Sequence, residues 1–419
     1  MSDNSQDSTI QSQVDDVQYE LDDVQSPTEN LYFIGLVLYM LRYLDYETRW
    51  EIPEMLSLAM LLLSFVFLFI QLLQAFPKYS PREVPVVVFA FLVTLVAGFN
   101  SDMLEPLLGT FLLVCGAKGI EFRKIAKVFL VVGGTFCAVT VIASLMGVIE
   151  NLTDKIDGER ESLVTNFQRQ CLGYGWSTNM ANHVFFIILA YFFWVGRLLK
   201  FKEIVIFLAL TLWVLGRTDS RLSTACIVLL LIFSILYRFR LFQRLILSKP
   251  IALLFVAAIP FFAFISYYVT AAYDSKSIEW MVADALLSGR LRIGQEALDD
   301  VGVSLLGQVF VMFSSARSDG ANYNYVDCSY LQLLIIYGFV YTILLVWAYI
   351  IIVRQALKRS DILLVIAVIT AAISGLIAQH FIEIYMNPFL IALFANHQKG
   401  VDVLPEEAEA ECEPSVLES

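Results

Sequence analysis

The side chains best suited to chemistry in this sequence are a small set of arginines and one short run of histidine and carboxylate. Arg169 precedes the turn Gly173-Tyr174-Gly175, Arg217 and Arg221 lie in Gly216-Arg-Thr-Asp-Ser-Arg221, and Arg290 and Arg292 lie in Ser288-Gly-Arg-Leu-Arg292. A guanidinium presents a planar fork of donors and stays charged at any workable pH, so a cluster of such forks suits phosphate. Arg217 and Arg221 are four apart and share one face if that stretch is already helical. Simpler readings stand beside this one. Arg217 can pair with Asp219 and reach the lipid headgroups, and Arg290 and Arg292 can be solvated residues of a surface helix. Near the C-terminus runs His380-Phe-Ile-Glu383-Ile-Tyr385-Met-Asn387-Pro388. His380 and Glu383 are three apart, and either could serve as a general base or simply satisfy the other. Asp327, in Asn324-Tyr-Val-Asp-Cys-Ser-Tyr330, is a third candidate base, with helix capping as its alternative. The sequence has no Walker A loop, no HExxH and no GxSxG. No metal or cofactor site is expected, because no cysteine or histidine spacing suits one.

These groups must be positioned by membrane helices. Of 419 residues, 58% are hydrophobic and 16% charged, and the mean hydropathy is +0.70, far beyond what a soluble core needs. The formal charge of −12 belongs to the ends: residues 1–29 carry eight acids, residues 402–419 carry seven, and neither stretch has Lys or Arg. The body between them is net +3, which gives no reason to expect nucleic-acid binding. Both tails, 1–28 and 397–419, are too polar to bury enough surface to order themselves and are expected to be disordered. No basic region precedes the first apolar stretch, so that stretch is expected to be retained as a span.

Continuous apolar runs without period-two alternation predict helices, since a span takes about 20 residues and must satisfy its own backbone. The expected fold is an all-α, polytopic transmembrane helix bundle occupying 29–396, with about 11–12 spans: 29–44, 55–76, 84–100, 103–117, 125–149, 178–196, 204–216, 222–237, 251–269, 329–353, 362–378 and 386–396. With the N-terminus inside, 17 of the 28 Lys and Arg fall in short inner segments, so both termini are expected to be cytoplasmic. The arginines named above then lie on the outer side, against that rule. Two outer loops, about 150–177 and 270–328, are long enough to be functional. Within the second, 277–298 has the spacing of an amphipathic helix lying on the membrane surface. No carboxylate falls in the middle of a predicted span, which counts against ion-coupled transport. Cys171 and Cys328 both fall in predicted outer loops, where a bridge between them is the alternative, but the six cysteines are best read as unpaired small residues.

Several separated stretches, in order, carry a resemblance. They are Lys118-Gly-Ile-Glu-Phe-Arg-Lys124 leading to Ser144-Leu-Met-Gly-Val-Ile149, Arg169 with Leu172-Gly-Tyr-Gly175 and Asn179, and Thr218-Asp-Ser-Arg221. Ser288-Gly-Arg290, Asp327 through Ser329-Tyr330-Leu331 with Tyr337-Gly338, and Asn387-Pro388-Phe389 follow. Together they resemble the polymerases that build O-antigen, capsular or exopolysaccharide chains from lipid-linked repeat units. The sequence departs from that pattern at Trp176-Ser177-Thr178, where His-Pro often precedes the Asn, and at Cys328, where Asn is common. The resemblance implies a metal-independent membrane glycosyltransferase (GT-C-like) without cofactor, in a bacterial cytoplasmic membrane. It would join two undecaprenyl-pyrophosphate-linked oligosaccharides at the outer face, alongside a flippase and a chain-length regulator. It further implies that Arg169, Arg217, Arg221 and Arg290 hold pyrophosphate, with Tyr174 and Asn179 in support. His380, Glu383 or Asp327 would take the acceptor proton. A related O-antigen ligase, a lipid-linked oligosaccharide flippase, and a sensor or scaffold without catalysis are the alternatives.

Overall fold

The computed structural model describes residues 27–154, 168–196, 199–313 and 323–397. The two acidic tails expected to be disordered lie almost wholly outside these residues, as do 155–167 and 314–322 of the two long loops.

The first apolar run forms α1 (Pro27–Tyr46). Its buried residues Tyr32, Leu36, Tyr39, Met40 and Leu44 recur at three- and four-residue spacing and make one inward face. The next helix, α2 (Glu54–Ala75), crosses α1 closely where Ser64 donates to the Gly35 carbonyl at 2.7 Å. A Cβ on Gly35 would sit 2.8 Å from Leu68, so the approach needs a residue without a side chain. The chain continues through α3 (Glu83–Ser101), α4 (Leu104–Gly116) and α5 (Phe122–Leu145). A two-residue ribbon pairs β1 (Thr153–Asp154) antiparallel with β2 (Arg169–Gln170). Then come α6 (Ser177–Val195), α7 (Phe201–Thr218), α8 (Arg221–Leu236), α9 (Arg240–Leu247) and α10 (Lys249–Ala271). After these lie α11 (Ile278–Leu286), α12 (Arg290–Val301), α13 (Ser329–Gln332), α14 (Phe339–Lys358) and α15 (Ile362–Ser374). Two 3-10 turns, Gln379–Phe381 and Pro388–Leu393, close the described chain.

Among the described residues, six helices are long and apolar enough to cross a membrane, and a seventh crossing results if α8 and α9, bent by 107°, are counted as one. The helix at the centre is not one of these. α15 has only 13 residues, about 20 Å of helix against a hydrocarbon layer of about 30 Å. Every residue from Ile362 to Ala372 is buried, so its apolar sequence serves the protein core and not the lipid. α10 is the opposite case, because only Ile259 and Thr270 of its 23 residues are buried.

Three expectations are corrected. The stretch 386–396 is no span, since its only helix is a six-residue 3-10 turn led by Pro388 and capped by the Asn387 side chain. The stretch 329–353 is not one helix: residues Leu333–Tyr337 widen into a π-turn, and Gly338, at φ 88°, breaks the chain before α14. The loop 304–308 fills the break, where Phe339 and Val340 donate to the carbonyls of Ser304 and Leu305 and Gln308 donates to that of Ile336. The surface helix read over 277–298 is two helices, parted at Ser288 and Gly289, which have φ 68° and 82°. Asp284 accepts from the amides of Leu291 and Arg292 and so fixes the start of α12. The apolar face of α11, with Ile278, Met281, Val282 and Leu286, is exposed. The five described cysteines are buried, and no disulfide joins any of them among the described residues.

Candidate active site

The site begins at the C-terminal end of α1. There the chain leaves the helix as Glu47-Thr48-Arg49 and pairs with the glycine turn that follows β2. Gly175 donates to the Glu47 carbonyl at 2.9 Å, Arg49 donates to the Gly173 carbonyl at 2.9 Å, and Thr48 forms a bridge with Tyr174. The turn needs left-handed backbone at Leu172 (φ 51°) and Gly173 (φ 86°). A Cβ on Gly173 would meet Ile149 at 2.7 Å, so glycine is required there on both counts. Tyr174 is fully buried, and its hydroxyl lies 2.6 Å from His183 Nδ1. This contact seats the turn on α6.

Glu47 points inward and is 9% exposed. One carboxylate oxygen accepts from the Tyr385 hydroxyl at 2.9 Å, and the other accepts from Asn179 Nδ2 in the first turn of α6. It thus ties the first helix to α6 and to the C-terminal segment. Burial, and then the Glu383 carboxylate, push its pKa up to about 7, although His380 and the two donors pull the other way.

His380 and Glu383 face this carboxylate. His380 is 2% exposed, and its Nδ1 is bonded to the Glu383 carboxylate, while its Nε2 has no partner among the described residues. Burial alone would lower the imidazole pKa, but Glu383, then Glu47 and Asp327, outweigh it and hold the pKa above the usual range. Beside the pair, Gln379 accepts from the Tyr325 hydroxyl. Arg290, at the start of α12, spreads its donors in three directions. Nε donates to the Ile377 carbonyl at 3.1 Å, Nη1 to that of Leu287 at 3.1 Å, and Nη2 pairs with Asp327 at 2.9 Å. Asp327 is therefore the partner of Arg290 and does not cap α13.

The other arginines form a second group at the turn between α7 and α8. Arg169 Nε donates to the Thr218 carbonyl at 2.8 Å, and Arg217 Nη1 donates to Gln170 Oε1 at 3.3 Å. Arg217 and Arg221 do not share a helix face: Asp219, at φ 47°, ends α7, and Arg221 opens α8. Asp219 pairs with Arg221 at 3.2 Å and not with Arg217. Arg292 is exposed and pairs with Glu296. The first two turns of α6 connect the two groups, because Asn179 holds Glu47 while Asn182 accepts from Ser223 of α8 at 2.7 Å.

The structure thus brings His380, Glu383, Asp327, Arg290 and Asn179 together and gathers Arg169, Arg217 and Arg221 nearby in the fold. Glu47 was absent from the sequence expectation. A signal existed, since Asp45 and Glu47 sit between Arg42 and Arg49 where a span ends, but a solvated loop explains such charges equally well. Comparison with known proteins gives no assignment: no family model, no curated protein and no solved structure matches this chain.

Proposed function

We propose that this chain is a membrane glycosyltransferase that polymerises undecaprenyl-pyrophosphate-linked oligosaccharide repeat units at the outer face of a bacterial cytoplasmic membrane, with both termini on the cytoplasmic side. The observation that carries the reading is His380, buried, its Nδ1 held by a carboxylate and its Nε2 unengaged among the described residues. A base oriented by a third group in this way is the arrangement that proton abstraction from a hydroxyl needs. Arg290 stands beside it through Asp327.

In the proposed step the acceptor sugar hydroxyl gives its proton to His380 Nε2 as its oxygen bonds to the anomeric carbon of the donor. The bond from that carbon to the donor pyrophosphate breaks, and its electron pair leaves with the pyrophosphate. Glu383 stabilises the imidazolium that forms. Arg290, released from Asp327 by a more highly charged partner, meets the charge that grows on the leaving group. Arg169, Arg217 and Arg221 hold the second pyrophosphate. A flippase and a chain-length regulator are the proposed partners, since substrate must arrive outside and product length must be set.

The test is the glycan ladder of a strain lacking the gene. Loss of long polymer with accumulation of single lipid-linked units is expected, wild-type protein restores the ladder, and His380→Gln at equal membrane level does not. Restoration by His380→Gln would contradict the proposal. A strain that still makes polymer but leaves it unattached would instead indicate a ligase.

A further inference from the structure

Glu47 is a buried carboxylate that the transfer step leaves without a task. Its oxygens are held by Asn179 and Tyr385, and its own carbonyl accepts from Gly175. With both oxygens engaged inside the fold, the side chain is placed to act through its charge on what it faces.

On the reading of His380 as the base, we propose that Glu47 is a positioning residue: a fixed second carboxylate that, with Glu383, holds a proton on His380 and so sets the pH at which Nε2 is free to accept one. The groups facing His380 come from every part of the site. Glu383 lies on its own segment, Asp327 on the segment before α13, Glu47 at the end of α1, and His183 on α6. Asp327 is largely balanced by Arg290 at 2.9 Å, and the Tyr325 hydroxyl beside the pair is spent on Gln379. Glu47 therefore remains as the strong external influence on the His380–Glu383 pair.

An anionic Glu47 favours the imidazolium, so its presence raises the pH at which His380 becomes neutral, and its removal lowers that pH. Glu47 itself is pushed up to about 7 by burial and then by the Glu383 carboxylate. Each shifts the pKa of the other, so Glu47 and His380 titrate as a pair. Transfer should fail on the acid side, where Nε2 is already protonated.

The chain has only three histidines, at 183, 380 and 397, so imidazole nitrogen NMR of histidine-labelled, full-length protein can resolve them, with His380→Gln identifying its signal. In Glu47→Gln, which keeps the shape, the His380 midpoint should fall by about half a pH unit or more. Tyr385→Phe removes one donor from the Glu47 carboxylate and makes it a weaker acid. The midpoint should then fall in the same direction by less. The acid limb of polymer formation should move to lower pH with it. An unchanged His380 midpoint in Glu47→Gln with wild-type melting temperature would overturn the proposal. If Glu47→Gln does not fold, an unchanged midpoint in Tyr385→Phe does so. The NMR measurement does not depend on activity: absence of polymer from the wild type at every pH sinks the polymerase reading and leaves the role of Glu47 to be decided by the midpoint.

Discussion

Arg290 uses three separate donors on two carbonyls and one carboxylate, and that spread is the reason an arginine stands there. A lysine offers one compact nitrogen and cannot satisfy two carbonyls while presenting a planar fork to an anion. Arg290→Lys should therefore keep the charge and still cut transfer by about 10- to 100-fold, or about 1.4–2.8 kcal/mol of transition-state stabilisation. Polymer yield per membrane-inserted protein measures it, and a wild-type yield would show that charge alone suffices. Residue chemistry was legible in the sequence where type and spacing were local. The His380–Glu383 pair at three-residue spacing is the clear example, and the pair forms. Asp327 and Arg290 were each singled out, but as a base and a phosphate ligand acting apart, because nothing in their 37-residue separation says that they meet. Glu47 was illegible for the same reason, since its partner Tyr385 lies 338 residues away.

At the scale of elements, hydrophobic runs predicted helices well and lengths less well. A run of apolar residues reads the same whether or not protein covers it, so buried α15 and little-buried α10 looked alike in sequence. Breaks were the harder feature, because a π-turn followed by glycine removes no apolar residue from the pattern. The break at Gly338 rests on a close approach that can be tested. A Cβ there would lie 2.3 Å from the Gly307 amide nitrogen, against backbone that has nowhere to go, and φ is 88°. Gly338→Ala should cost upwards of about 2 kcal/mol, seen as a lower melting temperature of the purified protein. Gly216, in the last turns of α7, has open space around it. Gly216→Ala should be neutral or slightly stabilising, as alanine favours helix. Equal behaviour of the two variants would mean that the loop 304–308 does not pack on the break.

For the molecule as a whole, sequence and structure agree on a helical bundle with membrane-length helices, apart from one two-residue ribbon, and the structure adds how the chain returns to one place. The end of α1, the turn after β2, the starts of α6 and α12, and the segment 377–387 converge on His380, although they span nearly the full described chain. The polar cluster at Glu47, His380 and Glu383 lies in a bundle whose long helices expose apolar flanks. The central claim is that this cluster performs glycosyl transfer with His380 as base. The most direct measurement uses purified protein in liposomes, supplied with the lipid-pyrophosphate-linked repeat units that accumulate in the strain lacking it. The account predicts a ladder of lengthened, lipid-linked glycans from the wild type and none from His380→Gln. A ladder of equal length and yield from that variant, or no lengthening by the wild type, would contradict it.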